Sequence, residues 1–163
     1  MSTNSFLEHA VHNPPARDLM KTKLITLKPE MDVFKAVEIL VKNKISGAPV
    51  VDADNRLLGT FSEKSVMRVL VVAAYEQVPT NRIDAFMERE PCTIDENTQL
   101  VTMAQLFLNK HCRRLPVLRD GILVGQVSRR DVIAAALKMA QKDHKSHLLY
   151  LSALRDMADA PNV

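Results

Sequence analysis

Hydrophobic and polar positions along this chain change their spacing in a fixed order, and the order occurs twice. Leu24-Ile25-Thr26-Leu27 is a short β-prone run ended by Pro29 and predicts a strand. Val33, Ala36, Val37, Leu40 and Val41 then fall at i, i+3, i+4, i+7 and i+8, which is one face of a helix. Ala48-Pro49-Val50-Val51 and Leu57-Leu58-Gly59-Thr60-Phe61 predict two further strands, joined by the turn residues Asp52-Ala53-Asp54-Asn55. A second helix is predicted from Ser62. Downstream, Leu100, Met103, Ala104, Phe107 and Leu108 repeat the helical spacing. Leu115-Pro116-Val117-Leu118 and Ile122-Leu123-Val124-Gly125-Gln126-Val127 repeat the hairpin around Asp120-Gly121, and another helix is predicted from Ser128.

Shifting the sequence by 67 positions aligns the copies: Met20 falls on Met87, Thr26 on Thr93, Pro49 on Pro116 and Val50 on Val117. After the first hairpin turn the offset becomes 66, with Leu57 on Leu123, Gly59 on Gly125, Ser62 on Ser128 and Val66 on Val132. A β-α-β-β-α unit of about 60 residues buries little apolar surface alone, so two should pack together. The expected fold is therefore α/β (α+β), with duplicated β-α-β-β-α units packed about a pseudo-twofold axis. The expected organisation is a flexible segment at 1–16, one unit at 17–76, a linker at 77–82, a second unit at 83–140 and a helical extension at 141–163. In that extension Leu148, Leu149, Leu151, Leu154 and Met157 suggest a further amphipathic helix.

Composition narrows the function classes. Lys plus Arg is 22 against 19 Asp plus Glu, a net charge of +3, too small to argue for nucleic-acid binding by charge alone. No apolar run reaches the roughly 18 residues of a membrane span, and no secretory signal stands before Arg17, so a cytoplasmic protein without membrane contact is expected. Cys92 and Cys112 form no C-x-x-C pair and read as reduced thiols. His144-x-x-His147 lacks the i, i+4 spacing of a helical metal pair and has no carboxylate or cysteine beside it, so no metal is expected. No nucleophile–base set, Walker loop or dinucleotide fingerprint is present, so no catalysis is expected.

The candidate chemistry lies at Gly125-Gln126-Val127-Ser128-Arg129-Arg130-Asp131, where a strand enters a helix. A helix N-terminus offers free N–H groups and the positive end of a dipole to an anion. Ser128 and Asp131 at this spacing also resemble a capping box. Arg113, Arg114, Arg119, Arg129 and Arg130 fall close together with only Asp120 as an acid among them, and guanidinium groups match phosphate oxygens.

The duplicated unit resembles the cystathionine β-synthase (CBS) domain, a pair of which forms a Bateman module. Ile45-Ser46-Gly47-Ala48-Pro49-Val50-Val51 and Gly59-Thr60-Phe61-Ser62 carry the likeness in the first copy. Cys112-Arg113-Arg114-Leu115-Pro116-Val117 and Gly125 to Asp131 carry it in the second, and together it covers about three quarters of the chain. The resemblance implies a regulatory module, homodimeric, that binds an adenine nucleotide (AMP, ADP or ATP) and acts on a regulated protein the sequence does not name. S-adenosylmethionine or a nicotinamide dinucleotide falls within the same reading, and an interaction module without a nucleotide is the alternative. The resemblance also implies a site combining Leu24, Ile25, Ser46, Gly47 and Ala48 with Ser128, Arg130 and Asp131. Leu24 and Ile25 would flank adenine, Ser128 would meet phosphate and Asp131 the ribose, while Arg113 and Arg114 would reach phosphates from the central cleft. The first copy has Ser65 where the acid should stand, so its own site should be the weaker.

Overall fold

The computed structural model describes residues 13–75 and 81–158, with the side chains of 143–151 and 153–158 outside the description. Helix α1 spans Ala16–Leu19 and α2 Val33–Lys42; strands β1 (Gly47–Val51) and β2 (Leu57–Ser62) follow, then α3 (Glu63–Tyr75). The second copy opens with a 3-10 turn at Ile83–Ala85, followed by β3 (Ile94–Asp95), α4 (Leu100–Asn109), β4 (Arg114–Arg119), β5 (Ile122–Ser128) and α5 (Arg129–Ala158).

Local chemistry sets these boundaries. The carboxylate of Asp32 accepts from Phe34 N at 2.8 Å and Lys35 N at 3.3 Å, capping α2. Val33, Ala36 and Leu40 are its buried stripe. The two hairpins differ by one residue, which accounts for the change of repeat offset. Asp120 and Gly121 both have positive φ (53° and 80°) and close a two-residue turn. The first hairpin adds a residue and ends its loop with Asn55 at φ 61°, while Asp52 accepts from Asp54 N and Arg56 N at 2.9 and 2.8 Å. The predicted first strand of copy one shrinks to a single parallel bridge between Leu27 and Val50, and its counterpart β3 has two residues, with Ile94 opposite Val117.

The copies are joined by exchange of their leading segments. Lys21 and Gln126 exchange backbone hydrogen bonds of 3.0 Å, and their counterparts Glu88 and Thr60 exchange bonds of 2.8 Å. Ala16 N donates to Thr98 O as Ile83 N donates to Met31 O, and Leu100 N donates to Pro14 O as Val33 N donates to Asn81 O. Each leader is thus bound to the other copy. Ala16 sits in the core of Ile94, Leu100, Met103, Phe107, Leu115, Val117 and Val127. Ile83, Phe86 and Met87 sit in the core of Leu27, Val33, Leu40, Val50 and Phe61. Leu57 N donates to Gly121 O and Leu123 N to Asn55 O, about the bridge between Arg56 and its own counterpart Ile122, where the pseudo-twofold axis passes.

The exchange explains the matched glycines. A Cβ on Gly59 would lie 2.4 Å from Glu88 O, and one on Gly125 would lie 2.5 Å from Met20 Sδ. Within the segment expected to be flexible at 1–16, residues 13–16 are pinned: Asn13 Oδ1 accepts from Val101 N at 3.1 Å, Pro14 accepts as above and Ala16 is buried. Residues 1–12 and 76–80, which include most of the expected linker, lie outside the described residues. The separate helix expected after Gln141 is instead the continuation of α5, because no Gly or Pro interrupts the sequence between Arg129 and Ala158. Its leucines from 148 onward, and His144 and His147, have side chains outside the description. No helix among the described residues is long and apolar enough to cross a membrane.

Candidate functional site

At the junction of the leader exchange a cleft of about 220 Å³ opens between the copies. The extended segment after α1 contributes Lys21, Lys23, Leu24 and Ile25. Ile45, Gly47 and Pro49 come from the approach to β1 and from β1 itself, and Gln126 and Ser128 come from β5. Arg114 at the start of β4 and Asp131 in the first turn of α5 complete it.

Asp131 serves as a helix cap here. Its Oδ2 accepts from Ser128 N at 2.8 Å and from Ser128 Oγ at 2.6 Å, and Asp131 N donates back to Ser128 Oγ at 3.3 Å. The other oxygen, Oδ1, stands 3.8 Å from Lys21 Nζ. Arg114 Nη1 donates to Gly47 O at 2.5 Å. Partial burial of this guanidinium pushes its pKa down from the ordinary arginine value, against the pull of Glu63 and Asp131. Arginine ordinarily titrates so far above neutrality that the charge stays, held in a partly desolvated position where an anion would be felt strongly.

Leu24, Ile25, Gly47, Arg114, Ser128 and Asp131, all singled out in the sequence, therefore meet in one cleft. Four others do not line it. Ala48 is buried in the first core, because alternate residues of a strand face opposite sides and Gly47 takes the cleft side. Arg113, just before β4, is exposed and stands 3.6 Å from Glu63, the acid whose charge also acts on Arg114. Ser46 lines an adjoining, larger hollow of about 500 Å³ with Val37, Val41, Val66 and Met67, which meets the cleft at Ile45 and Arg114. Arg130 is exposed on α5. Arg119, read as a surface residue, forms a two-pronged pair with Glu96 at 2.8 and 2.5 Å. Sequence reasoning missed Lys21, Lys23, Ile45, Pro49 and Gln126. The two lysines belong to the exchanged leader, which no local pattern ties to β5.

The symmetry-related junction carries different chemistry on the same frame. Lys21 and Lys23 correspond to Glu88 and Glu90, Ile25 and Ile45 to Cys92 and Cys112, and Asp131 to Ser65. Ser65 is buried, and its Oγ accepts from Ser62 N at 3.3 Å, so a neutral hydroxyl makes the cap there. Among the described residues no group of three or more His, Cys, Asp or Glu is arranged to hold a metal ion.

The family model of the CBS domain matches residues 16–72 and again 83–138. An uncharacterised protein of Methanocaldococcus jannaschii is 31% identical over 125 residues, spanning 76% of this chain and 43% of its own. The chloroplastic CBS domain-containing protein CBSX1 of Arabidopsis thaliana is 28% identical over 152 residues, spanning 77% of this chain and 64% of its own. The chain thus spans less than two thirds of the length of either relative. Among solved structures, CBSX2 in complex with AMP superposes with a TM-score of 0.67 at 30% identity, covering 77% of this chain and 98% of that one. The CBS-pair protein CBSX2 from Arabidopsis thaliana gives a TM-score of 0.69 at 29% identity, covering 80% and 99%.

Proposed function

The chain belongs to the CBS-domain family, and from that premise we propose that it is a non-catalytic regulatory module binding an adenosine-containing ligand in the cleft between its two CBS units and passing occupancy to a partner. The composition of the cleft carries this reading. Aliphatic Leu24, Ile25 and Ile45 stand beside one carboxylate and three cations, Lys21, Lys23 and Arg114. Aliphatic side chains suit the faces of a purine, and a carboxylate with one oxygen outside its cap suits ribose hydroxyls. Three cations against one carboxylate leave an excess of two positive charges, which suits a nucleoside monophosphate dianion. AMP is therefore the leading ligand, ahead of ADP and ATP. The AMP complex of CBSX2 is consistent with this choice.

The proposed assembly is a homodimer. Phe34 and Val41 on α2, Leu70 and Val71 on α3, Leu108 on α4, and Ile133 and Leu137 on α5 are exposed. Apolar faces contributed by both units fit a second copy of the chain better than solvent. Sedimentation equilibrium at micromolar concentration should give twice the 18.3 kDa chain mass, and a single species at the chain mass would overturn the dimer.

A second reading, an interaction module without a physiological nucleotide, is favoured by one observation: Asp131 Oδ2 is already engaged by the cap. Mass spectrometry of small molecules released from freshly purified protein, followed by calorimetric titration of AMP, ADP and ATP, separates the two. Release or binding of AMP supports the sensor. S-adenosylmethionine or a nicotinamide dinucleotide would keep the sensor and change the ligand, and no binding would leave the interaction module.

A further inference from the structure

The second junction, where the acid is missing, holds the chain's two cysteines together. Cys92 lies two residues before β3 and Cys112 two residues before β4, and both side chains pack against the core of the second unit. They occupy the register positions of Ile25 and Ile45, 67 residues earlier, two of the side chains lining the first cleft. Both thiols are free and partly exposed. Burial, followed by the influence of the neighbouring Cys92 thiol, pushes the Cys112 thiol up from its ordinary pKa. Arg129 Nη2 donates to Cys112 O at 3.1 Å and to Phe107 O at 3.3 Å, tying the Cys112 segment to the start of α5.

From this arrangement we propose that Cys92 and Cys112 form a site of reversible oxidation, closing to an intramolecular disulfide by exchange with a low-molecular-weight disulfide. One cysteine thiolate attacks a sulfur of the small disulfide, forming a mixed disulfide and expelling one small thiolate. The second cysteine thiolate then attacks the protein sulfur of that mixed disulfide and expels the other small thiolate. The two cysteines lose two electrons and two protons, and the small disulfide is reduced to two thiols. Proximity favours the second step over attack by another small thiol, so the mixed disulfide is short-lived. Partial exposure gives the reagent access, and a reduced small thiol reverses the sequence. The inference stands on the thiol pair itself and holds whichever ligand the first cleft takes.

The test uses the full chain, equilibrated with oxidised and reduced glutathione at a series of ratios, quenched by alkylation and weighed intact. Both thiols should disappear together, leaving a monomeric chain lighter by two hydrogens with no glutathione attached, and dithiothreitol should restore both. Cys92→Ser and Cys112→Ser should each retain one glutathione on the remaining cysteine. Peptide mapping of the oxidised natural chain should recover Cys92 linked to Cys112, a readout that does not depend on the variants folding. Two glutathione adducts on one chain, a link between chains, or thiols that stay reduced in excess oxidised glutathione would each overturn the proposal.

Discussion

The two junctions between the CBS units share a backbone frame and differ in most of the side chains that line the first cleft and their counterparts. At one, Lys21 and Gln126 exchange backbone hydrogen bonds beside Ile25, Ile45 and Asp131; at the other, Glu88 and Thr60 exchange the same bonds beside Cys92, Cys112 and Ser65. The leader, the hairpin and the Ser-headed helix are needed at both, because each leader completes the other unit's core. The side chains lining the first cleft are less bound by that requirement, and they differ from their counterparts at the second junction. Replacing two lysines with two glutamates turns a rim that attracts phosphate into one that repels it. Duplication thus preserves the frame while the chemistry of one junction departs from the other.

The largest effect should come from giving the first junction the rim of the second. Lys21→Glu combined with Lys23→Glu removes two cations and adds two anions beside the proposed phosphate position. With charge-assisted contacts worth roughly 1.5–3 kcal/mol each, AMP affinity should fall by about a hundredfold or more. Calorimetric titration checks this, and unchanged affinity would remove the lysines from the site.

A smaller effect tests the frame. Gly59→Ala sets a methyl group against Glu88 O, a backbone atom, so the exchanged leader must shift, at a cost of about 1–3 kcal/mol of stability. Gly125→Ala meets the flexible side chain of Met20 and should cost less. Urea unfolding of both variants measures the difference. Equal losses would show that side-chain adaptability does not distinguish the two crossings.

Smaller again is the exchange of the acid for its counterpart. Asp131→Ser should keep a cap, since Ser65 already makes one, while removing the carboxylate proposed for ribose. AMP affinity should fall at least about tenfold, equivalent to 1.4 kcal/mol, with little change in melting temperature. Asp131→Ala should lose the cap as well, about 1 kcal/mol of stability. A lowered melting point with unchanged affinity in both variants would leave Asp131 as a cap alone.

Much of this frame is legible in the sequence because it is periodic. The helix stripes Val33-Ala36-Leu40 and Leu100-Met103-Phe107, both hairpins and the matched Gly59 and Gly125 follow from local spacing and the repeat. The leader exchange is not local: the pairings of Lys21 with Gln126 and of Ala16 with Thr98 join residues far apart in sequence, and no periodicity reports them. That is why Lys21 and Lys23 escape a reading built on motifs. Motif proximity also gathers too much, since Gly47 and Ala48 are neighbours in sequence yet face opposite ways in β1. The thiol pair is hidden for a related reason: Cys92 and Cys112 show no spacing signature, and only the folded second unit brings both against one core.

The asymmetry of the junctions is tested most directly by the stoichiometry of AMP binding to the reduced chain, measured by titration calorimetry with protein concentration fixed by amino-acid analysis. The account predicts one AMP per chain, lost in the Lys21→Glu and Lys23→Glu double variant. Two equivalent molecules per chain, or one molecule whose affinity is indifferent to those lysines, would contradict it.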